Sequence, residues 1–189
     1  METFLSVLAG LGLSAACGFR VFVPLFVVSL AALTGHLELA QGFEWIGTLP
    51  AVIAFGTATV LEVTAYFVPW VDHILDTMAT PSAVVAGTIL TAAMIQDMSP
   101  FLRWTVALIA GGGISGTVQG LTVAARGFSS AITGGLGNPL LATAEATGAV
   151  GASVMSLVFP GLFLSIILVL AIFFFCRTRQ CPAQPSLSP

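Results

Sequence analysis

Apolar residues run along this chain in six long stretches, at about 4–33, 47–68, 81–96, 104–125, 139–158 and 161–176. The breaks between them hold Gly, Pro and most of the charged residues. A helix needs roughly 20 apolar residues to cross the ~30 Å hydrocarbon layer of a bilayer. The pattern therefore predicts an all-α, polytopic membrane fold of about six transmembrane helices. Pro160-Gly161 divides the last two, because an unbroken apolar run from Leu140 to Cys176 would be nearly twice a bilayer's thickness.

Composition points the same way. Of 189 residues, 57% are hydrophobic and 7% charged, whereas soluble domains are near a quarter charged. One membrane domain, 1–176, is expected, followed by a disordered cytoplasmic tail, 177–189. Glu2 stands where a secretory signal would be basic, and the first apolar stretch runs far past a cleavage site, so the N-terminus is expected to be retained. Ser14-Ala15-Ala16-Cys17 lacks the large aliphatic residue of a lipoprotein cleavage box. The net charge of −3 leaves no basic patch for nucleic acid. Cys17, Cys176 and Cys181 have no metal-ligand spacing and read as small apolar filler, while His36 and His73 are single and expected at the membrane surface. No cofactor, metal site or catalytic constellation is expected, so an intramembrane enzyme acting on lipid ranks third among the function classes.

Orientation rests on the few basic residues. Arg177 and Arg179 follow the last stretch and Arg126 follows the fourth, with only Arg103 in a loop on the opposite side. The positive-inside bias then places both termini in the cytoplasm and the loop carrying Glu38 and Glu44 outside.

The first and fourth stretches exceed one untilted crossing and share an order of small residues. Ala9-Gly10-Leu11-Gly12-Leu13-Ser14 reads against Ala110-Gly111-Gly112-Gly113-Ile114-Ser115; in another register Gly10, Ser14 and Gly18 read against Gly112, Gly116 and Gly120. Three spans per half is an odd number, which predicts inverted 3+3 repeats, 1–96 and 101–176, as in many transporters. The small-residue ladders suit close helix packing, and with it homo-oligomerisation through GxxxG faces. Alternatively, Gly111, Gly112 and Gly113 open the helix beside Ser115 and offer carbonyls to an ion or solute.

Arg20, Glu62 and Glu145 fall inside apolar stretches, where an unpaired charge costs at least about 2.5–3.5 kcal/mol on insertion scales. They are expected to face the bundle interior, with Arg20 near Glu62 or Glu145, either as an ion pair that fixes packing or as a solute or proton pathway. Asn138-Pro139 reads as a cap and first turn of the fifth helix, and the Gly-rich approach before it suits an anion or carbonyl group at a positive helix end. Asp72 and Asp76 are one helical turn apart after Trp70. They read as a solvated interfacial helix, a cation site, or a cytoplasmic gate closing on Arg126.

Three stretches resemble a family of uncharacterised bacterial membrane proteins grouped as domain of unknown function 4126. They are Gly18-Phe19-Arg20-Val21-Phe22-Val23-Pro24-Leu25, Pro69-Trp70-Val71-Asp72 through Asp76, and Gly116-Thr117 through Gly120-Leu121 followed by Gly137-Asn138-Pro139 and Glu145. The resemblance implies a small multispanning protein of a bacterial inner membrane and supplies no activity. Family members tend to be basic where this chain has Val118 and Thr122, so a second-half partner to Arg20 is expected to be missing. The leading functional expectation is a small channel or secondary transporter for an ion or small polar solute, with its site between the halves. The alternative is a non-transporting scaffold whose glycine faces bind partner helices. A transporter should hold a polar cavity reached from one side, whereas a scaffold should pair its buried charges in a dry interior.

Overall fold

The computed structural model describes residues 2–66, 71–162, 165 and 169, with side chains for all of these except residues 2 and 71–75. Among them every regular element is helical. The helices are α1 (Glu2–Phe19), α2 (Phe22–Leu33), α3 (Leu49–Ala65), α4 (Val71–Met94), α5 (Pro100–Val106), α6 (Gly113–Thr133) and α7 (Asn138–Val158). A 3-10 turn, Glu44–Gly47, precedes α3, and a π-helical stretch, Ala107–Gly112, fuses α5 and α6 into one helix, Pro100–Thr133. That helix, α7, and Asp76–Met94 of α4 are each long and apolar enough to cross a membrane, and α1, α2 and α3 are shorter apolar helices. Together with the composition, they mark the chain as a membrane protein. Most of the stretch 161–176, and the tail 177–189, lie outside the described residues.

The first apolar stretch does not make one long helix. It breaks at Arg20-Val21, and the chain doubles back there. Along α1, Gly10 meets Thr91 and Ser14 meets Gly87, so α1 runs antiparallel to α4. Along α2, Val21 and Phe22 share a cavity wall with Met78 and Ser82, while the loop after α2 returns to the far end of α4, where Ala40 N–H donates to Ala93 O at 2.8 Å. α2 therefore runs parallel to α4, and α1–α2 is a hairpin with Arg20 at its tip.

Two expectations change as a result. The start of α1 and the loop carrying Glu38 and Glu44 lie at the same end of the bundle, not at opposite ends. The stretches 4–33 and 104–135 also take different courses, since the second stays in one continuous helix as far as Thr133. The sequence hides the reversal because its tip is buried and has no loop composition.

The centre of the bundle is the crossing of α1, α4 and the π-helical start of α6. A side chain at Gly18 would press on Val118 and on Ser115 O, one at Gly87 on the Ser14 and Ser115 hydroxyls, and one at Gly111 on Thr91. Without a hydrophobic force between helices in lipid, such close backbone approach supplies the packing energy. Thr91 Oγ donates to Gly10 O at 3.1 Å, and Ser14 Oγ donates to Gly111 O. The outer helices reverse the polarity of a soluble bundle. The buried residues of α6 are Ser115, Gln119, Thr122 and Arg126, a one-sided polar stripe, while Leu121, Phe128 and Ile132 face outward. Lipid accepts the apolar face, and the polar face turns in.

These contacts make the glycines unequal. Gly18→Ala, whose Cβ would sit 2.7 Å from Ser115 O, is expected to lower stability by about 1–3 kcal/mol through overpacking. Gly120→Ala, with open space beside it, should change it by less than about 0.5 kcal/mol. Unfolding titrations in mixed micelles read both, and equal effects would contradict the crossing.

Candidate functional site

The hairpin tip is where buried charge gathers. α2 starts inside the bundle, so its first N–H groups have no helical partner. The Glu62 carboxylate, from the last turn of α3, accepts Val21 N–H at 2.8 Å and Phe22 N–H at 3.1 Å. A carboxylate also suits the positive end of the helix dipole. In α3 only Ala51 and Glu62 are buried, so this helix is held against the bundle largely through its acid.

Arg20 itself is 1% exposed. Its Nη2 donates to Ala142 O at 3.0 Å and lies 3.3 Å from Glu145 Oε2. Its Nε and Nη1 have no hydrogen-bond partner among the described residues. The expected proximity to Glu145 is observed. Glu62 caps α2 instead of forming an ion pair with Arg20.

Arg126 supplies a second guanidinium. Its Nε donates to Glu145 Oε1 at 3.2 Å and its Nη2 to Glu145 Oε2, which makes a bidentate pair. Its Nη1 donates to Asp76 Oδ1 at 2.7 Å. The Tyr66 ring centroid lies 3.8 Å from the Arg20 guanidinium carbon and 3.9 Å from that of Arg126, within cation–π range. Its hydroxyl donates to Asp76 Oδ1 at 3.1 Å. Two arginines thus meet three carboxylates, Glu62, Asp76 and Glu145, around one tyrosine. The hairpin, α3, α4, α6 and α7 all contribute to the cluster.

Two placements correct the expectations above. Arg126 is not a loop residue following a span: α6 continues to Thr133, and Arg126 is buried two turns before its end. Asp76 is buried within α4, which begins at Val71 and runs through Pro81, where the third apolar stretch had been expected to start. Their contact is an interior ion pair, and the side chain of Asp72 lies outside the described residues. The missing second-half arginine is present after all, one turn beyond Thr122 on the same face.

Gly111 and Gly112 end a π-helical stretch, Ala107–Gly112, and Gly113 starts α6; such stretches are frequent at functional sites. However, the Gly111 carbonyl accepts the Ser14 and Ser115 hydroxyls, and the Gly112 carbonyl accepts Ser115 at 3.1 Å. Asn138 opens α7 after Gly134 and Gly135, whose φ of 62° and 91° reverse the chain. Its Nδ2 donates to Ser130 Oγ at 3.0 Å, bridging the ends of α6 and α7. Neither feature joins the charge cluster. Cys17 is a buried free thiol beneath the tip, and Cys176 and Cys181 lie outside the described residues.

Two residues were missed by sequence reasoning. Tyr66 is the one tyrosine of the chain and stands four residues after Glu62, a spacing that places both on one helix face. Gln119 is 3% exposed and stands on the same polar stripe as Arg126; counting polar residues at helical spacing in the fourth stretch would have found it.

Beside the cluster, α2, α3 and α4 enclose a cavity of about 300 Å³. It is lined by Val21, Phe22, Leu61 and Met78, with Glu62, Tyr66 and Ser82 as its polar residues. A second apolar cavity of about 330 Å³ lies on the α4 side of Phe22 and Leu25.

Removing one member of this network strands the others. Arg126→Met is expected to cost about 3–5 kcal/mol, because Asp76 loses its arginine and Glu145 is left with Arg20 alone. Adding Asp76→Asn, which leaves the Arg20–Glu145 pair intact, should recover most of the loss. Reversible unfolding in micelles measures both; a single variant as stable as the native chain would mean that water reaches the cluster.

No curated protein and no solved structure matches the chain. Its sequence does match the profile of one family over residues 7–180, nearly its whole length, and the chain belongs to that family, described as a domain of unknown function (DUF4126).

Proposed function

We propose that this protein is a small membrane channel or secondary transporter for an ion or small polar solute, with its site at the tip of the α1–α2 hairpin. The observation that carries this reading is the reversal of the chain inside the bundle. It creates a helix N-terminus and an arginine with unmet donors in the protein interior. Irregular backbone at membrane depth is tolerated where it is buried in protein or lines a cavity, and broken helices of this kind form the substrate sites of many transporters. The inward polar faces of α6 and α7 extend from the tip through Gln119 and Thr122 on one side, and through Ser153 and Ser156 on the other.

In this reading α3, α4, α5–α6 and α7 cross the bilayer, and α1–α2 enters and leaves at one side. Trp45 and Trp104 are exposed at that end, as in an interfacial aromatic belt. Arg103 at the same end assigns it to the cytoplasm of a bacterial inner membrane, with the N-terminus there and the 34–48 loop beside it. Any inverted relation between the halves is limited to the small-residue ladders and to one buried arginine in each half, Arg20 and Arg126. A cysteine placed at Thr3 and another at Glu44 should react with an impermeant maleimide from the same side; labelling from opposite sides would rule out the re-entrant hairpin.

A scaffold role is favoured by a different observation. Gly113, Gly120 and Gly127 recur every seven residues on α6 with open space beside each, a flat face suited to a partner helix or a second copy. Flux in reconstituted vesicles separates the two. A transporter should move a solute from a panel of small ions and organic anions, and Arg20→Gln should slow this at least tenfold. Absence of flux across the panel, together with dimerisation abolished by Gly120→Leu, would replace transport with the scaffold.

A further inference from the structure

The geometry points to a binding site for a single-chain carboxylate, whose apolar chain fills the cavity between α2, α3 and α4 and whose carboxylate, accompanied by one proton, reaches Arg20 behind Tyr66. This names a solute class for the hairpin-tip site and rests on the transport reading.

Three features define the class. First, the cavity is apolar along Val21, Phe22, Leu61 and Met78, with Glu62, Tyr66 and Ser82 as its polar lining. At about 300 Å³ it is at the small end of small-molecule sites. An amphiphile with one compact polar group matches this division. Second, Arg20 is a buried cation whose Nε and Nη1 are unpartnered among the described residues. Such donors require an acceptor, and a carboxylate is the acceptor that guanidinium geometry suits. The Tyr66 ring covers both guanidiniums and also walls the cavity, so rotation of this one side chain joins the two spaces.

Third, the charge count sets the stoichiometry. The groups facing the tip are Arg20, Glu62 and Tyr66 of α3, Asp76 of α4, Arg126 of α6, Glu145 of α7 and the Cys17 thiol of α1, with the side chains of Asp72 and His73 outside the described residues. Among these, two guanidiniums already face three carboxylates. A fourth carboxylate enters this low-dielectric interior only with a proton, since isolated buried charge is strongly disfavoured. A metal ion is a poor substitute, because Glu62 is engaged by Val21 and Phe22 N–H, and Asp76 and Glu145 by the two guanidiniums.

Sodium octanoate, octylamine and octanol, titrated by calorimetry into the full chain in lipid nanodiscs, test the assignment. Octanoate should bind saturably, at least tenfold tighter than the amine or the alcohol of the same chain length. Its Kd should rise about tenfold per pH unit between pH 6 and 8, with one proton taken up per octanoate. Ala58→Phe, which fills the cavity away from the charges, should weaken binding at least tenfold in a folded protein, and so should Arg20→Gln where it folds. Acetate should bind at least tenfold more weakly than octanoate. Oleate held in the nanodisc should compete if the acid arrives from the bilayer and fail to compete if it arrives from water. Equal binding of octylamine, or octanoate binding indifferent to both pH and Ala58→Phe, would overturn the assignment. Octanoate binding without flux in vesicles would overturn transport and leave the site standing, whereas flux of another solute without octanoate binding would overturn the site alone.

Discussion

The fold depends on the need to satisfy the start of a helix where there is no water. α2 begins in the interior of the bundle, and its exposed N–H groups, each costing several kcal/mol if left unpaired in hydrocarbon, are met by the Glu62 carboxylate. That acid carries its own cost, which the helix dipole and the nearby arginines offset. The arginines in turn require Glu145 and Asp76. One reversal of the backbone thus draws charged side chains from α3, α4, α6 and α7 into a common site, and these contacts fix helices that share little apolar core.

The glycine crossing and the charge cluster divide the work of holding the molecule together. Near one end, α1, α4 and the start of α6 approach to backbone contact through Gly10, Gly87 and Gly111, with Ser14 and Thr91 hydroxyls tying carbonyls across the interface. Near the other end the space between the helices is filled by Arg20, Tyr66 and Arg126 with the carboxylates beside them. The same inward orientation of polar groups explains why α6 carries no apolar buried residue at all.

Much of the site was legible in the sequence because charge inside an apolar run is rare and costly: Arg20, Glu62 and Glu145 were identifiable on that ground alone. The members that escaped did so for specific reasons. Asp76 lies before Pro81, which looks like a helix boundary but sits within α4. Arg126 lies just past the fourth apolar run, where a loop charge is equally plausible on composition. The hairpin itself left no trace, since a turn that never meets water needs no Gly, Asn or Ser, and Arg20 with Val21 serves instead. Glycine spacing identified the helices that approach most closely, while the pairing of those helices, α1 with α4 and with α6, depended on the reversal and could not be read.

The cluster also orders the biogenesis of the protein. The hairpin tip is synthesised first, yet its capping acid emerges some forty residues later and the partners of Arg20, Ala142 and Glu145, come more than a hundred residues after it. Until α7 has been made, a nascent chain holds an arginine at the tip that has neither carbonyl nor carboxylate. Such a hairpin is marginal in lipid and waits at the surface or at the insertion machinery. A ribosome stalled after α6 therefore leaves an intermediate in which Arg20 lacks both partners and Arg126 has Asp76 alone, which gives membrane proteases a mark of an unfinished molecule.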